Sequence, residues 1–229
     1  MKKLWHIALG IAVVAFSLFV VLAAYTNVPT ACNAKDEAVF ENTLHLKPLR
    51  NPQTFAQEIV AIRKLQERTF AIAPLGAGIP DYQPREPADF IRKREGLCFD
   101  RSRTTDKALE YLGLPSRHIF LLYCDGGQGF WSSMFHSKSS HAVTEVKTSK
   151  GWMFIDSNTN WIALTRDGQV VDADDVWKRT AEFDTIPSYL TRPWWAIRGM
   201  YSRKGQLYPP CIRFPDFNWY DFCAWLIMG

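Results

Sequence analysis

The sequence predicts an α+β fold carried behind one membrane-crossing helix. Three observations point to it. A long uncharged apolar run stands near the N-terminus, two later stretches repeat apolar residues at helical spacing, and three short apolar or β-branched runs follow them. The chain divides accordingly into an anchor or signal segment over 1–25, a tether over 26–50, and a folded domain over 51–229 that ends in an aromatic extension.

The apolar run has no charged residue between Ile7 and Ala24, and Lys2 and Lys3 precede it. Leu4 to Tyr25 is 22 residues, which at about 1.5 Å per residue crosses a hydrocarbon core of about 30 Å. A cleavable signal has a shorter apolar region. Val21-Leu22-Ala23 still offers a cleavage site, so a secreted form stays open. The two lysines place the N-terminus in the cytoplasm and the domain in the periplasm or exterior. Residues 26–50 show no sustained period and read as a tether.

A helix is expected from Asn51, with Pro52 in its first turn and Phe55, Ile59, Ile62 and Leu65 on one face, to about Phe70. Residues 74–88 hold four prolines and two glycines and read as a loop. A short helix follows Pro87. A second long helix begins near Cys98, shows Ala108, Leu109 and Leu112 on its apolar face, and stops at Gly113. His118–Cys124 reads as a buried strand and 125–140 as irregular. Ser140–Lys147 and Trp152–Asp156 read as paired strands joined by Thr148–Gly151. Asp172 is expected to cap a helix running through Val176, Trp177 and Ala181. Little is assignable beyond Pro193. The aromatic C-terminus is too short for a second span and is expected mainly to pack in the core.

Composition narrows the function. With 47% hydrophobic and 22% charged residues the chain supports a folded core. A net charge of +4 spread along the chain, with no long basic stripe, argues against a nucleic-acid partner. There are five cysteines. If one is a free nucleophile, Cys32, Cys124, Cys211 and Cys223 remain for two disulfides, in any of three pairings, or as buried small side chains.

Cys98 is the candidate nucleophile. It stands in Gly96-Leu97-Cys98-Phe99-Asp100 at a helix start, where unpaired N–H groups favour a thiolate and the oxyanion formed by its attack. His141 is the candidate base, and His136 is a rival five residues earlier. With a four-residue loop between the strands, Lys147 faces Trp152 and Val143 faces Asp156. His141 then shares a face with Asp156 on the diagonal, within about 7–8 Å. Asp156 would orient and charge-stabilise the imidazole. Asp100 and Arg117 are expected to fix the helix start and the strand by ion pairing.

The stretch GLCFDRSRTTDKALEYLGLPSRHIFL resembles the cysteine segment of the transglutaminase-like superfamily, a papain-related fold, and HAVTEVKTSKGWMFIDSN resembles its histidine and aspartate hairpin. The likeness is close over 96–157, loose over 51–95, and fades beyond about Ile162. It implies a helix bearing Cys98 packed on an antiparallel sheet bearing His141 and Asp156, in a membrane-anchored bacterial member. It further implies an amide-bond enzyme working through a thioester, as hydrolase or acyltransferase, with no metal or organic cofactor. The partners expected are a protein or peptide substrate in the cell envelope, and the membrane through residues 4–25. Some members are catalytically dead, so a non-catalytic binding domain stays open, as does an envelope glycan-binding protein. The family often has an aromatic two residues after the histidine, where this chain has Val143. Tyr82 and Gln83 are the upstream candidates for a second oxyanion donor.

Overall fold

The fold is given by a computed structural model, which describes residues 2–49, 54–80, 83–124, 127, 129–136, 139–201 and 216–228. The apolar run is one 25-residue helix, α1 (Lys2–Thr26). It is exposed from Lys3 to Val21 and buried only at Thr26 in its last turn, and Lys3 to Thr26 is long and apolar enough to cross a membrane. Four helices follow: α2 (Ala34–Asn42), α3 (Phe55–Ile72), α4 (Pro87–Lys93) and α5 (Cys98–Leu112). The remaining elements are β1 (Ser116–Tyr123), α6 (Phe130–His136), β2 (Ser140–Thr148), β3 (Gly151–Ile155), β4 (Trp194–Arg198) and α7 (Trp219–Met228). The strands form one antiparallel sheet in the order β3-β2-β1-β4. The α+β expectation holds.

Both faces of the sheet are covered, which is why β1 reads as an unbroken apolar run rather than an alternation. Val146, Met153 and Ile155 pack with Ile62 and Leu65 of α3 and Leu109 of α5. Ile119, Leu121, Val143 and Phe154 pack on the opposite side against Ala163, Val176 and Leu190. Polar contacts register α5 on the sheet: Ser102 Oγ donates to the Val143 carbonyl at 2.9 Å, and Thr144 Oγ1 donates to Asp106 Oδ1 at 2.6 Å.

The hairpin pairs Lys147 with Trp152 as expected, and its loop is tighter than the four residues assumed. Thr148 also pairs with Gly151, leaving Ser149 and Lys150 as the turn. Gly151 takes φ +130°, a conformation that side chains rarely adopt. Shortening the loop by one residue on each strand leaves the register unchanged, so the expected faces of His141 and Asp156 survive.

Several expectations are corrected. The stretch read as a tether contains α2, whose N-cap Asn33 and Asp36 form a reciprocal capping box. Its Phe40, with Leu44 and Leu46 just beyond, lies in the main core. Asp36 accepts from buried Lys107 Nζ at 2.6 Å, and Glu86 of the α4 cap takes the same ammonium at 2.5 Å. Chain order hides this, because the partners stand 71 and 21 residues apart. Helix α3 begins at Phe55 behind a Thr54 cap, and the expected start at Asn51 and Pro52 lies outside the described residues. The region after Asp172 forms two three-residue 3₁₀ turns, Val176–Lys178 and Thr180–Glu182, rather than a helix. Residues 130–136 are helical where irregular chain is expected, and β4 fills the unassigned region after Pro193. Cys32, Cys98 and Cys223 are free thiols, so two disulfides among the other four cysteines do not form; Cys211 lies outside the described residues.

Candidate functional site

Gly96 and Asp100 set the start of α5. The Leu97 N–H donates to Asp100 Oδ2 at 2.9 Å, and the Ile79 N–H donates to the same oxygen at 3.2 Å. Arg85 pairs with the other carboxylate oxygen, and both side chains are buried. A Cβ on Gly96 would stand 2.3 Å from Phe90 Cε2, so only glycine lets the chain pass that buried ring into the helix. Cys98 therefore occupies the first turn, whose amides lack intrahelical partners. Arg101, one turn on, is almost fully buried. It donates to the carbonyls of Gly96 at 3.1 Å and Ser157 at 3.0 Å, tying the helix start to the chain just after Asp156.

His141 lies near the beginning of β2 and Asp156 just past the end of β3. His141 Nε2 and Asp156 Oδ1 are 2.7 Å apart, and the histidine side chain also hydrogen-bonds Cys98. With Nε2 engaged by the carboxylate, Nδ1 is the ring nitrogen left for the thiol. The structure thus brings Cys98, His141 and Asp156 together. Burial works against the charged ring, but the bonds to Asp156 and Cys98 outweigh it and push His141 up to about 9. Burial alone would raise Asp156, whereas donors from His141, Tyr189 and Thr159 hold it below the ordinary carboxylate range.

Tyr189 is a neighbour that sequence reasoning missed. Its Oη donates to Asp156 Oδ2 at 2.5 Å, and Thr159 Oγ1 donates to the same oxygen at 2.7 Å. The Tyr189 ring also meets the His141 ring edge-on at 5.5 Å. No local signal marks Tyr189, because the segment holding it has neither helical nor strand periodicity. Gln66 of α3 steadies the same loop, donating to the Asp156 carbonyl at 3.1 Å.

Other expected residues fall elsewhere. The His136 side chain and Tyr82 lie outside the described residues. Gln83 is exposed in a cleft with Ile79, Asp89 and Arg92 that none of the three site residues lines. Arg117 pairs with Glu145 at 2.6 Å and stacks over Trp152, while Asp100 holds the helix start with Arg85, so both serve structure as expected. Val143 is wholly buried in the core. Among the described residues, no group of three His, Cys, Asp or Glu side chains is placed to hold a metal ion.

A cysteine at a helix N-terminus, set against a histidine and aspartate on an antiparallel sheet, defines a class of α+β domains that includes cysteine-dependent enzymes. The family model described as the transglutaminase-like superfamily matches residues 49–157, so this part of the chain is similar to that superfamily. The match spans α3 through Asp156 and includes all three site residues, whereas α2, Tyr189, β4 and α7 lie outside it. No curated protein matches the chain.

Proposed function

We propose that the chain is a membrane-anchored, cysteine-dependent amide-bond enzyme with Cys98 as nucleophile, His141 as base and acid, and Asp156 as the residue orienting the imidazole. One observation supports this above the rest: the His141 side chain hydrogen-bonds Cys98 while its Nε2 stands 2.7 Å from Asp156 Oδ1. The thiolate sulfur attacks the acyl carbon and forms a C–S bond. The tetrahedral oxyanion lies against the first-turn amides of α5. Collapse breaks the C–N bond while His141 gives its proton to the departing amine, leaving a thioester. Water or a second amine, deprotonated by His141, then releases the acyl group and restores the thiol. The substrate is a peptide or isopeptide bond of an envelope protein, cleaved by water or transferred to an amine. Helix α1 spans the membrane with Lys2 and Lys3 on the cytoplasmic side, and the domain faces the periplasm or exterior.

The test is the full chain incubated with envelope proteins and a peptide library, beside Cys98→Ala, with mass spectrometry for cleaved or aminated products and for trapped thioester. Products that need Cys98 are expected. If neither products nor thioester appear while iodoacetamide alkylates Cys98 only at the rate of an ordinary thiol, the chain is a binding domain that keeps the fold without the chemistry.

A further inference from the structure

Helix α1 is not joined to the domain by a loose linker. Its end is clamped to the strand-like entry of α7. The Phe217 N–H donates to the Thr26 carbonyl at 3.1 Å, and the Val28 N–H donates to the Phe217 carbonyl at 2.7 Å. Asn218 Nδ2 donates to the Val28 carbonyl at 3.1 Å, and Trp219 Nε1 donates to Thr26 Oγ1 at 3.0 Å. The Phe19 and Trp219 rings meet edge-on at 5.5 Å. Phe19 lies seven residues before Thr26, which is about 10 Å back along the helix axis. A 25-residue helix is about 37 Å long, so it overshoots a hydrocarbon core of about 30 Å by only a few ångströms at each end. Trp219 therefore reaches from the end of α1 at Thr26 toward the depth that α1 assigns to the lipid at Phe19, across the membrane boundary.

From Trp219 the aromatic contacts continue without a break. Trp219 meets Phe222 at 5.9 Å, Phe222 meets Trp225 at 5.7 Å, and Trp225 meets Phe130 of α6 at 6.2 Å. Phe130 in turn touches Trp131 and Trp195. Along this path large apolar side chains face outward: Trp131 is 70% exposed, Leu226 60% and Ile227 83%. Such a surface, continuous with a bare apolar helix, is unfavourable in water and favourable in the interfacial layer, where Trp and Tyr collect.

We infer that α7 and the aromatic side chains of α6 and β4 beside it are seated in the surface layer of the bilayer that α1 crosses, so that the domain lies against the membrane. The inference rests on the reading of α1 as a span. Its occupant is lipid, and a second copy of the chain is the competing cover that the test must expose.

The test uses the full chain in phosphatidylcholine–phosphatidylglycerol nanodiscs containing lipids brominated near the headgroup. Subtracting the fluorescence of Trp131→Phe from that of the native chain isolates Trp131, and Trp152→Phe isolates a control on β3, at the opposite edge of the sheet from β4. Brominated lipid is expected to quench the Trp131 contribution severalfold more than that of Trp152. Leu226→Glu with Ile227→Glu, both on exposed positions, is expected to abolish that difference while the chain still resists extraction from membranes by alkaline carbonate. A carbonate-resistant chain whose Trp131 escapes the brominated lipid overturns the seat and leaves the span standing. Trp131 shielded from both brominated lipid and aqueous acrylamide means a protein cover and overturns the seat as well. Extraction by carbonate overturns the span, and the seat with it.

Discussion

Tyr189 Oη donates to Asp156 Oδ2 at 2.5 Å, on the carboxylate whose other oxygen faces His141. The phenol therefore acts on the imidazole through Asp156 and is a positioning residue. Its loss should leave the core intact, because the Tyr189 side chain is only partly buried. Tyr189→Phe is expected to lower kcat roughly tenfold with KM little changed, the equivalent of about 1.5 kcal/mol, the lower end for one hydrogen bond to a charged group. Because Tyr189 helps to depress Asp156, the acid limb of the pH profile should also move to higher pH. An unchanged profile in Tyr189→Phe would reduce the residue to a packing role.

His141 itself gives a pH prediction with a definite sign. Its folded value, about 9, lies above the 6.5 of an ordinary histidine. Stability from this group is fully present below pH 6.5 and is lost as pH rises through 9. The rise corresponds to about 3 kcal/mol at most. Urea midpoints of the native chain should fall between pH 7 and 9.5, and His141→Gln should flatten that fall. The imidazole nitrogen resonances in NMR give a direct check: at pH 7.5 both ring nitrogens should be protonated. A neutral tautomer at that pH would refute the charge state assigned here.

The cysteine, histidine and aspartate were legible because each is announced locally. Gly96 breaks the chain before a helical period, and one hairpin count places His141 and Asp156 on one face. That count tolerates a two-residue error in the loop, since trimming both strands equally keeps the register. What supports the three was not legible. Asp36 meets Lys107 across 71 positions, and Tyr189 meets Asp156 across 33. Nothing in a nine-residue, mostly polar α2 or in an aperiodic loop reveals such partners. Strand β4 was missed for a related reason, since among the described residues it pairs only with β1, far back in the chain. In α7 the apolar residues run nearly all round the helix, so the sequence pattern gives no face.

Thiol reactivity should separate the cysteines. Cys32 donates its S–H to the Lys107 carbonyl at 3.0 Å, and burial with Asp36 nearby pushes its thiol up to about 11. At pH 7.5 it should stay unmodified through an iodoacetamide exposure that labels Cys98 completely, as read by peptide mass spectrometry. Denaturation in urea should abolish the difference. Labelling of Cys32 at the rate of Cys98 in the folded chain would contradict the packing of residue 32 against α5.

The start of α5 makes the strongest stability prediction. Asp100 is fully buried, pairs with buried Arg85 and accepts two backbone N–H groups. Replacing it by Asn keeps an acceptor for Leu97 but removes the carboxylate charge that faces the buried Arg85 guanidinium. Removing one member of a buried pair costs about 3–5 kcal/mol. Gly96→Ala acts on the same turn by a different route. Its Cβ falls 2.3 Å from a Phe90 ring that is wholly buried and has no room to retreat, an overpacking of about 1–3 kcal/mol. Both variants should lower the urea midpoint. They should also slow Cys98 alkylation more than their stability loss explains, because each displaces the turn that presents the thiol to His141. A variant that loses stability yet alkylates at the native rate would show that the Cys98 position is set by β2 and β3 rather than by this turn.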